Sequence, residues 1–242
     1  MSDQLEALAA ALPRLGEGIV VTLQLTLGGA ALAFVLAVVL GFTARARSLW
    51  LRGPTRVVVE FFRGTSLVVQ LFWLFYVLPV FGFRLESLAV GIVALGLNYG
   101  AYGSEVVRGS VNAVPKGQWE AATALNMGAF HRVRRVIFPQ AWALMIPLFT
   151  NLLIQLLKGT ALATYILLHD LNFVIGQLRR ATQDTFFTYT VGLLIYFALA
   201  YLLTLGMNAL EVRAKRRIGV APTFREVVHV APVPTTARAG AA

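Results

Sequence analysis

Five stretches of this chain run about twenty residues with no charge, and short basic segments separate most of them. Ile19 to Phe42, Gly64 to Phe83 and Thr185 to Leu210 are uncharged throughout. Val57 to Phe62 extends the second run toward the N-terminus. Ser87 to Ser104 is shorter and rich in glycine, and Val136 to Leu157 carries Pro139 and Pro147. A helix needs roughly 20 apolar residues to cross a hydrocarbon core. The pattern predicts an all-α integral membrane protein with spans at about 19–42, 57–83, 87–107, 136–158 and 185–210. The transmembrane domain then covers 19–212, preceded by an external segment 1–18. The cytoplasmic loop 109–135 lies within it, and a basic tail 213–242 follows.

Composition agrees with that reading. Only 13% of the 242 residues are charged and 58% are hydrophobic, about half the charge a soluble domain carries. The net charge of +10 could suggest nucleic acid, but the basic residues lie between apolar runs, which is how membrane proteins record orientation. Fifteen of them fall in 43–56, 105–135 and the tail from 211; the opposite side holds Arg14, Arg84, Arg179 and Arg180. The positive-inside rule places the N-terminus outside and the C-terminus in the cytoplasm. The first 18 residues have no basic region ahead of an apolar stretch, so no cleaved signal peptide is expected. From Ala221 the Pro-, Ala- and Thr-rich composition predicts disorder. There is no cysteine and only His131, His169 and His229, so no metal site is expected.

The loop 109–135 contains Val114-Pro-Lys-Gly-Gln-Trp-Glu-Ala-Ala-Thr-Ala-Leu-Asn-Met-Gly128. Pro115 suits the first turn of a helix. Trp119, Ala122 and Leu125 then form one narrow apolar stripe. Glu120 sits where a negative charge meets the positive end of the helix. Ala121 and Ala122 allow another backbone to approach, and Asn126 can end the helix in the left-handed conformation. Such a helix suits a helix-in-groove contact with a soluble partner; the alternative is a helix lying flat on the membrane.

The segment also resembles a known family. Glu120-Ala121-Ala122, position 126, then Val136, Phe138 and Pro139 match in spacing the EAA signature of ABC-importer permeases. Glu60-Phe-Phe-Arg63-Gly-Thr-Ser-Leu-Val-Val-Gln70, Asn98-Tyr-Gly-Ala-Tyr-Gly-Ser-Glu105-Val-Val-Arg108 and Leu156-Leu-Lys158-Gly-Thr160 resemble the polar amino-acid branch of that family. The likeness covers roughly residues 15–215. It departs at Asn126, where the family has glycine, at Ser66 and Phe138, and at Gly159, where amino-acid permeases often carry an acid. Gly159 and the wording of span two are similar to the ectoine and hydroxyectoine subgroup.

The resemblance implies the type I importer permease fold in the bacterial cytoplasmic membrane. The implied partners are ABC ATPase subunits, a second permease subunit (identical or homologous), an extracytoplasmic solute-binding protein and membrane lipid, with no nucleic acid. The chain has no phosphate-cradling Gly-x-x-x-x-Gly-Lys loop, so ATP and Mg belong to the partner ATPase, and this chain is neither an enzyme nor expected to bind a cofactor. The coupling residues are then Trp119, Glu120, Ala121, Ala122, Leu125, Asn126 and Gly128.

Polar groups inside apolar runs are costly against lipid, which makes Gln70, Asn98, Tyr99, Asn151, Gln155, Lys158 and Thr160 candidates for a pathway that could greet a carboxylate. The alternative for each is hydrogen bonding between helices, and for Lys158 snorkelling to the outer interface. Glu60 with Arg63, and Glu105 with Arg108, read as structural or gating ion pairs. Gly91, Gly96, Gly100 and Gly103 permit close helix approach, at a dimer seam or against span two.

A secondary transporter would need a coupling-ion site, yet no acid lies deep in any span. A channel leaves the cytoplasmic loop helix unexplained, and the dispersed histidines suggest no catalytic arrangement. Glu120→Lys, which reverses charge on the loop helix, is predicted to abolish solute uptake while the protein still inserts. Uptake assays paired with membrane fractionation check this, and normal uptake would remove the coupling assignment.

Overall fold

The computed structural model describes residues 2–46 and 48–217, and the regular structure among them is helical throughout. The tail expected to be disordered lies outside the described residues. Helix α1 runs Ser2–Thr43, α2 Leu49–Gly64 and α3 Leu67–Phe72, the last continuing through a π turn (Trp73–Val77) and a 3-10 turn (Leu78–Phe81). Helix α4 spans Ser87–Ala113, and α5 Lys116–Ala124. Helix α6 (Ala129–Arg132) passes through a π turn into α7 (Phe138–Gly159), which tightens to a 3-10 helix over Thr160–Ile166. Helices α8 (Leu171–Thr182) and α9 (Thr185–Arg217) complete the order.

Three continuous helices are long and apolar enough to cross a membrane: Glu6–Thr43, Ala129–Ile166 and Thr185–Arg216. A fourth candidate is the pair Leu49–Gly64 and Leu67–Phe81, bent by 102°. The segment 57–83 is therefore not the straight span its composition suggests. Thr65 and Ser66 both adopt extended backbone, which interrupts the helical ladder just after Gly64.

The core is a close packing of α4 on α1. A Cβ added to Gly91 would stand 2.5 Å from Leu25, on Gly96 2.5 Å from Leu32, on Gly100 2.8 Å from Leu36, and on Gly103 2.7 Å from Ala37. Helix α1 reciprocates at Gly41, where a Cβ would meet Val107 at 2.7 Å. The glycine stripe thus serves the α1 interface, and not the dimer seam or the contact with span two expected from its spacing. The leucines of α1 fill the space the missing side chains leave, as small residues permit in membrane helix pairs.

Two further clusters close the ends. Ala37, Val107, Val111, Val114, Ile137, Ala141 and Met145 are buried together, with Trp119 packed against them. At the other end Leu15 of α1 buries Leu171, Val174 and Ile175 of α8. The N-cap of α8 is Asp170, fully buried, whose carboxylate accepts from the Asn172 and Phe173 backbone N–H groups and from the Thr164 hydroxyl at 2.6 Å. Burial pushes the Asp170 carboxyl above its usual range, a rise these hydrogen bonds only partly offset. The Leu171 N–H donates to Thr22 Oγ1 at 3.1 Å, pinning α8 to α1.

Gly96→Val should lower the melting temperature of the detergent-solubilised protein, since overpacking costs about 1–3 kcal/mol. Gly109→Val, on the same helix with nothing within 4 Å of its Cβ position, should leave it unchanged. Equal melting behaviour of the two variants would contradict the packing account.

Candidate functional site

Helix α5 is held firmly at one side and open at the other. Ala122 is buried, and Trp119 lies half-buried between two guanidinium groups, Arg45 at 5.7 Å and Arg132 at 5.9 Å from the ring centroid. Arg45 also donates to Asn112 and Arg132 to Thr123. The Gln140 amide donates to Gln118 Oε1 at 3.2 Å. The helix is thereby tied to the end of α1, the end of α4 and the start of α7. Cation–π contact with tryptophan is the strongest of its kind, and two such contacts fix the indole plane.

The C-terminus of α5 closes as a Schellman motif. Met127 N–H donates to Ala122 O at 3.1 Å, Asn126 N–H donates to Thr123 O at 2.9 Å, and Asn126 has φ 53°. This is the left-handed turn that asparagine tolerates in place of glycine. Glu120, Ala121 and Ala124 face outward, and Trp119, Glu120, Thr123 and Ala124 line a shallow open pocket. Leu125, the third member of the apolar stripe, is the C-cap and 72% exposed, because the helix ends there and turns it out. Gly128 follows as the N-cap of α6.

The bend between α2 and α3 gathers two of the candidate polar residues. The Phe62 carbonyl, one turn before the break, accepts from Gln70 Nε2 and Asn98 Nδ2, each at 3.0 Å. Gln70 Nε2 also donates to Thr65 Oγ1 at 2.7 Å, and Asn98 donates to Gln70 Oε1 at 3.3 Å. Both amides are buried. They supply partners to a carbonyl that the broken helix leaves without its usual donor, which a membrane interior demands.

The other candidates divide by exposure. Asn151, Gln155 and Lys158 lie at i, i+4 and i+7 on α7, and all three are exposed. Tyr99 of α4 reaches across to this helix, its hydroxyl donating to the Gln155 carbonyl at 2.8 Å. A Cβ added to Gly159 would stand 2.9 Å from that hydroxyl, so the absent side chain at 159 is what leaves room for the tyrosine. Thr160 is fully buried and donates to Leu157 O at 2.6 Å. On the opposite side of α7, Ile146, Phe149, Leu153 and Leu156 face a cavity of about 250 Å³ shared with Ala30, Ala33 and Met207. That cavity is apolar apart from Tyr99, so α7 presents one polar face and one oily one.

The two ion pairs stand where the spacing puts them. Arg63 Nη1 lies 3.1 Å from Glu60, and the guanidinium also packs over the Tyr102 ring at 5.5 Å. Tyr102 in turn donates to the Arg63 carbonyl at 3.1 Å, fastening the end of α2 to α4. Arg108 pairs with Glu105 through Nε at 3.0 Å and through a second nitrogen. Sequence reasoning missed Arg45, Asn112 and Arg132 as supports of Trp119, and Phe62 as the acceptor at the bend. The basic residues flanking the loop were a signal for the first. A backbone carbonyl carries no sequence signal.

Residues 33–216 match the family described as the binding-protein-dependent transport system inner membrane component. The chain belongs to this family, and it is a multi-pass inner membrane permease subunit of an ABC importer. Among its relatives, a probable amino-acid ABC transporter permease protein, y4tF, from Sinorhizobium fredii is 43% identical over 208 residues, covering 84% of this chain and 87% of that protein. The L-cystine transport system permease protein TcyB from Bacillus subtilis is 35% identical and covers 85% and 88%. A crystal structure of an amino acid ABC transporter with histidines superimposes with a TM-score of 0.78 at 28% identity, covering 85% of this chain and 96% of that one. The methionine transporter MetNI, in inward-facing form, shares the fold at TM-score 0.70 and 20% identity.

Asn98→Leu removes two hydrogen bonds at the bend and should destabilise the protein by about 1–3 kcal/mol, the cost of leaving a buried polar partner unmet. Its effect should be non-additive with Gln70→Leu in a double-mutant cycle, because the two amides share one acceptor. Strict additivity would separate them.

Proposed function

We propose that this chain forms half of the translocation pathway for a small zwitterionic solute, with its amino-acid-type carboxylate greeted by Lys158, Asn151 and Gln155. The observation that carries the reading is α5: a helix anchored on three sides whose outward face offers Glu120 beside a shallow pocket. In this reading α5 inserts into a cleft of the partner ATPase, which holds ATP and Mg. ATPase closure moves α5, and α1, α4 and α7 move with it because their ends are tied to it. The rest is a two-state rocking between inward- and outward-open arrangements.

The same reading takes α4 as a fifth span beside the four apolar candidates. It places Ser2 outside and the end of α9 in the cytoplasm, with 109–135 as the coupling loop. The basic residues at the end of α9 and around α5 support that orientation. A second permease subunit, two ATPases and an external binding protein complete the assembly. Gln70 and Asn98 shape the pathway by holding the bend beside it, with Tyr99 and Thr160 fixing the outer end of α7. Glu60–Arg63 and Glu105–Arg108 brace α2 and α4 during the movement.

For the solute, relatives that are permeases for cystine, octopine and arginine, with one probable glutamine permease, support a polar amino acid. Gly159 and the wording of span two support ectoine or hydroxyectoine, which carries a carboxylate of the same kind. A competition assay decides between them. Cells carrying this permease with its cognate partners take up labelled ectoine, or one of the amino acids, against each of the others unlabelled. Whichever solute is taken up, Lys158→Gln should raise its KM by about tenfold, the scale of one charge-assisted hydrogen bond. An unchanged KM would remove Lys158 from the pathway and leave the coupling assignment standing.

A further inference from the structure

Helix α8 carries a face that the translocation reading leaves unused. Its inward stripe, Leu171, Val174, Ile175 and Leu178, is buried against α1 and α9. Phe173, Gly176, Gln177 and Arg180 share the opposite face, at the spacing of one side of a helix. That face runs about 10 Å from Phe173 to Arg180 at the helical rise. The His169 ring covers its first end, tilted by 31° against the Phe173 ring with centroids 4.4 Å apart. Nothing lies within 4 Å of a Cβ position on Gly176, which leaves an open notch at the middle.

The charge at the C-terminal end of α8 has no counterpart. Arg179 and Arg180 are exposed, and neither forms an ion pair among the described residues. The acids flanking α8 are already engaged. Asp170 is buried as the N-cap, and Asp184 accepts from Gln4 at 2.7 Å and from the Phe187 N–H at 2.9 Å. Adjacent arginines on the extracytoplasmic side also run against the positive-inside trend. Interaction with the helix C-terminus accounts for one cation in the last turn, but not for an adjacent pair beside an open notch. Arginine and aromatic side chains on a rigid element are what protein interfaces favour, and the fixed cap and buried stripe make α8 rigid.

We propose that the outward face of α8 is a docking surface for an acidic patch on the solute-loaded extracytoplasmic binding protein. The inference rests on the importer reading and orientation above. A rim of uncompensated arginine steers an acidic partner and speeds encounter more than it tightens the final complex.

The test uses the complete permease–ATPase complex in lipid nanodiscs, titrated with the purified binding protein of the same system loaded with the solute identified by competition. Arg179→Glu with Arg180→Glu should raise the half-maximal concentration for ATPase stimulation by about tenfold or more at low salt, a rim-charge effect on association. Basal ATPase activity and the maximal stimulated rate should stay unchanged, and the difference should shrink as salt is added. Gly176→Trp, which fills the notch without changing charge, should raise the same concentration at every salt. Unchanged titrations for both variants, against a wild type that responds normally, overturn the docking surface alone.

The chain has no cysteine, so Arg180→Cys gives a single site for an impermeant maleimide applied to intact spheroplasts. Labelling from outside is required; labelling only after lysis overturns the proposal together with the orientation. A wild-type complex that no binding protein stimulates overturns it together with the importer reading.

Discussion

The seam between α1 and α4 sets how close the other helices can come. Two helices with ordinary side chains pack 8–10 Å apart, and glycine at the contact brings them nearer. Here the closeness is mutual: α4 gives up side chains where α1 offers Leu25, Leu32 and Leu36, and α1 gives one up at Gly41 to receive Val107. In lipid there is no hydrophobic drive to hold two apolar helices together, so contact area and complementarity must do it. With α1 and α4 locked, α7 packs into the angle they leave, and its polar face is forced to the side away from the oily cavity.

The bend at Thr65–Ser66 follows from the same constraint in another form. A helix broken inside a membrane exposes carbonyls and N–H groups that nothing in the lipid can satisfy. The chain meets this locally with Gln70 and from the neighbouring helix with Asn98, both directed at the Phe62 carbonyl. The break is therefore a built feature that requires α4 to be in register with α2. Tyr102 repeats the arrangement one turn further along by donating to the carbonyl of Arg63. A helix end fixed this way keeps its angle while the bodies on either side shift.

Much of this was legible in the sequence because it depends on periodicity. The apolar runs, the loop helix and the left-handed turn at Asn126 all follow from local chemistry, and the structure has each of them, although Pro115 caps the loop helix from outside and is not in its first turn. What periodicity cannot carry is partner choice. The glycine spacing on α4 says that something approaches closely, but the partner is decided by leucines more than sixty residues away. Leu125 shows the same limit at short range, since its place in an i, i+3, i+6 stripe holds only while the helix continues. The buried amides Gln70 and Asn98 read equally as pathway or packing groups, because both roles select polar residues within apolar runs. The Phe62 carbonyl that both meet carries no sequence signal.

The anchoring of α5 bears on how a force could pass through this molecule. A loop that merely lay on the membrane would need no more than its own amphipathic face. Trp119 instead has a guanidinium from α1's end and another from α6 against its ring, while the indole joins the cluster that also holds Val107 of α4 and Met145 of α7. A displacement of α5 must then move the adjoining ends of three long helices together or break those contacts. Close-packed clusters of this kind switch between discrete arrangements and do not deform gradually. The rigidity of the cluster beside α5 and the fixed bend beside α4 are thus complementary: one ties the helix ends into a single body, and the other holds the angle between α2 and α3.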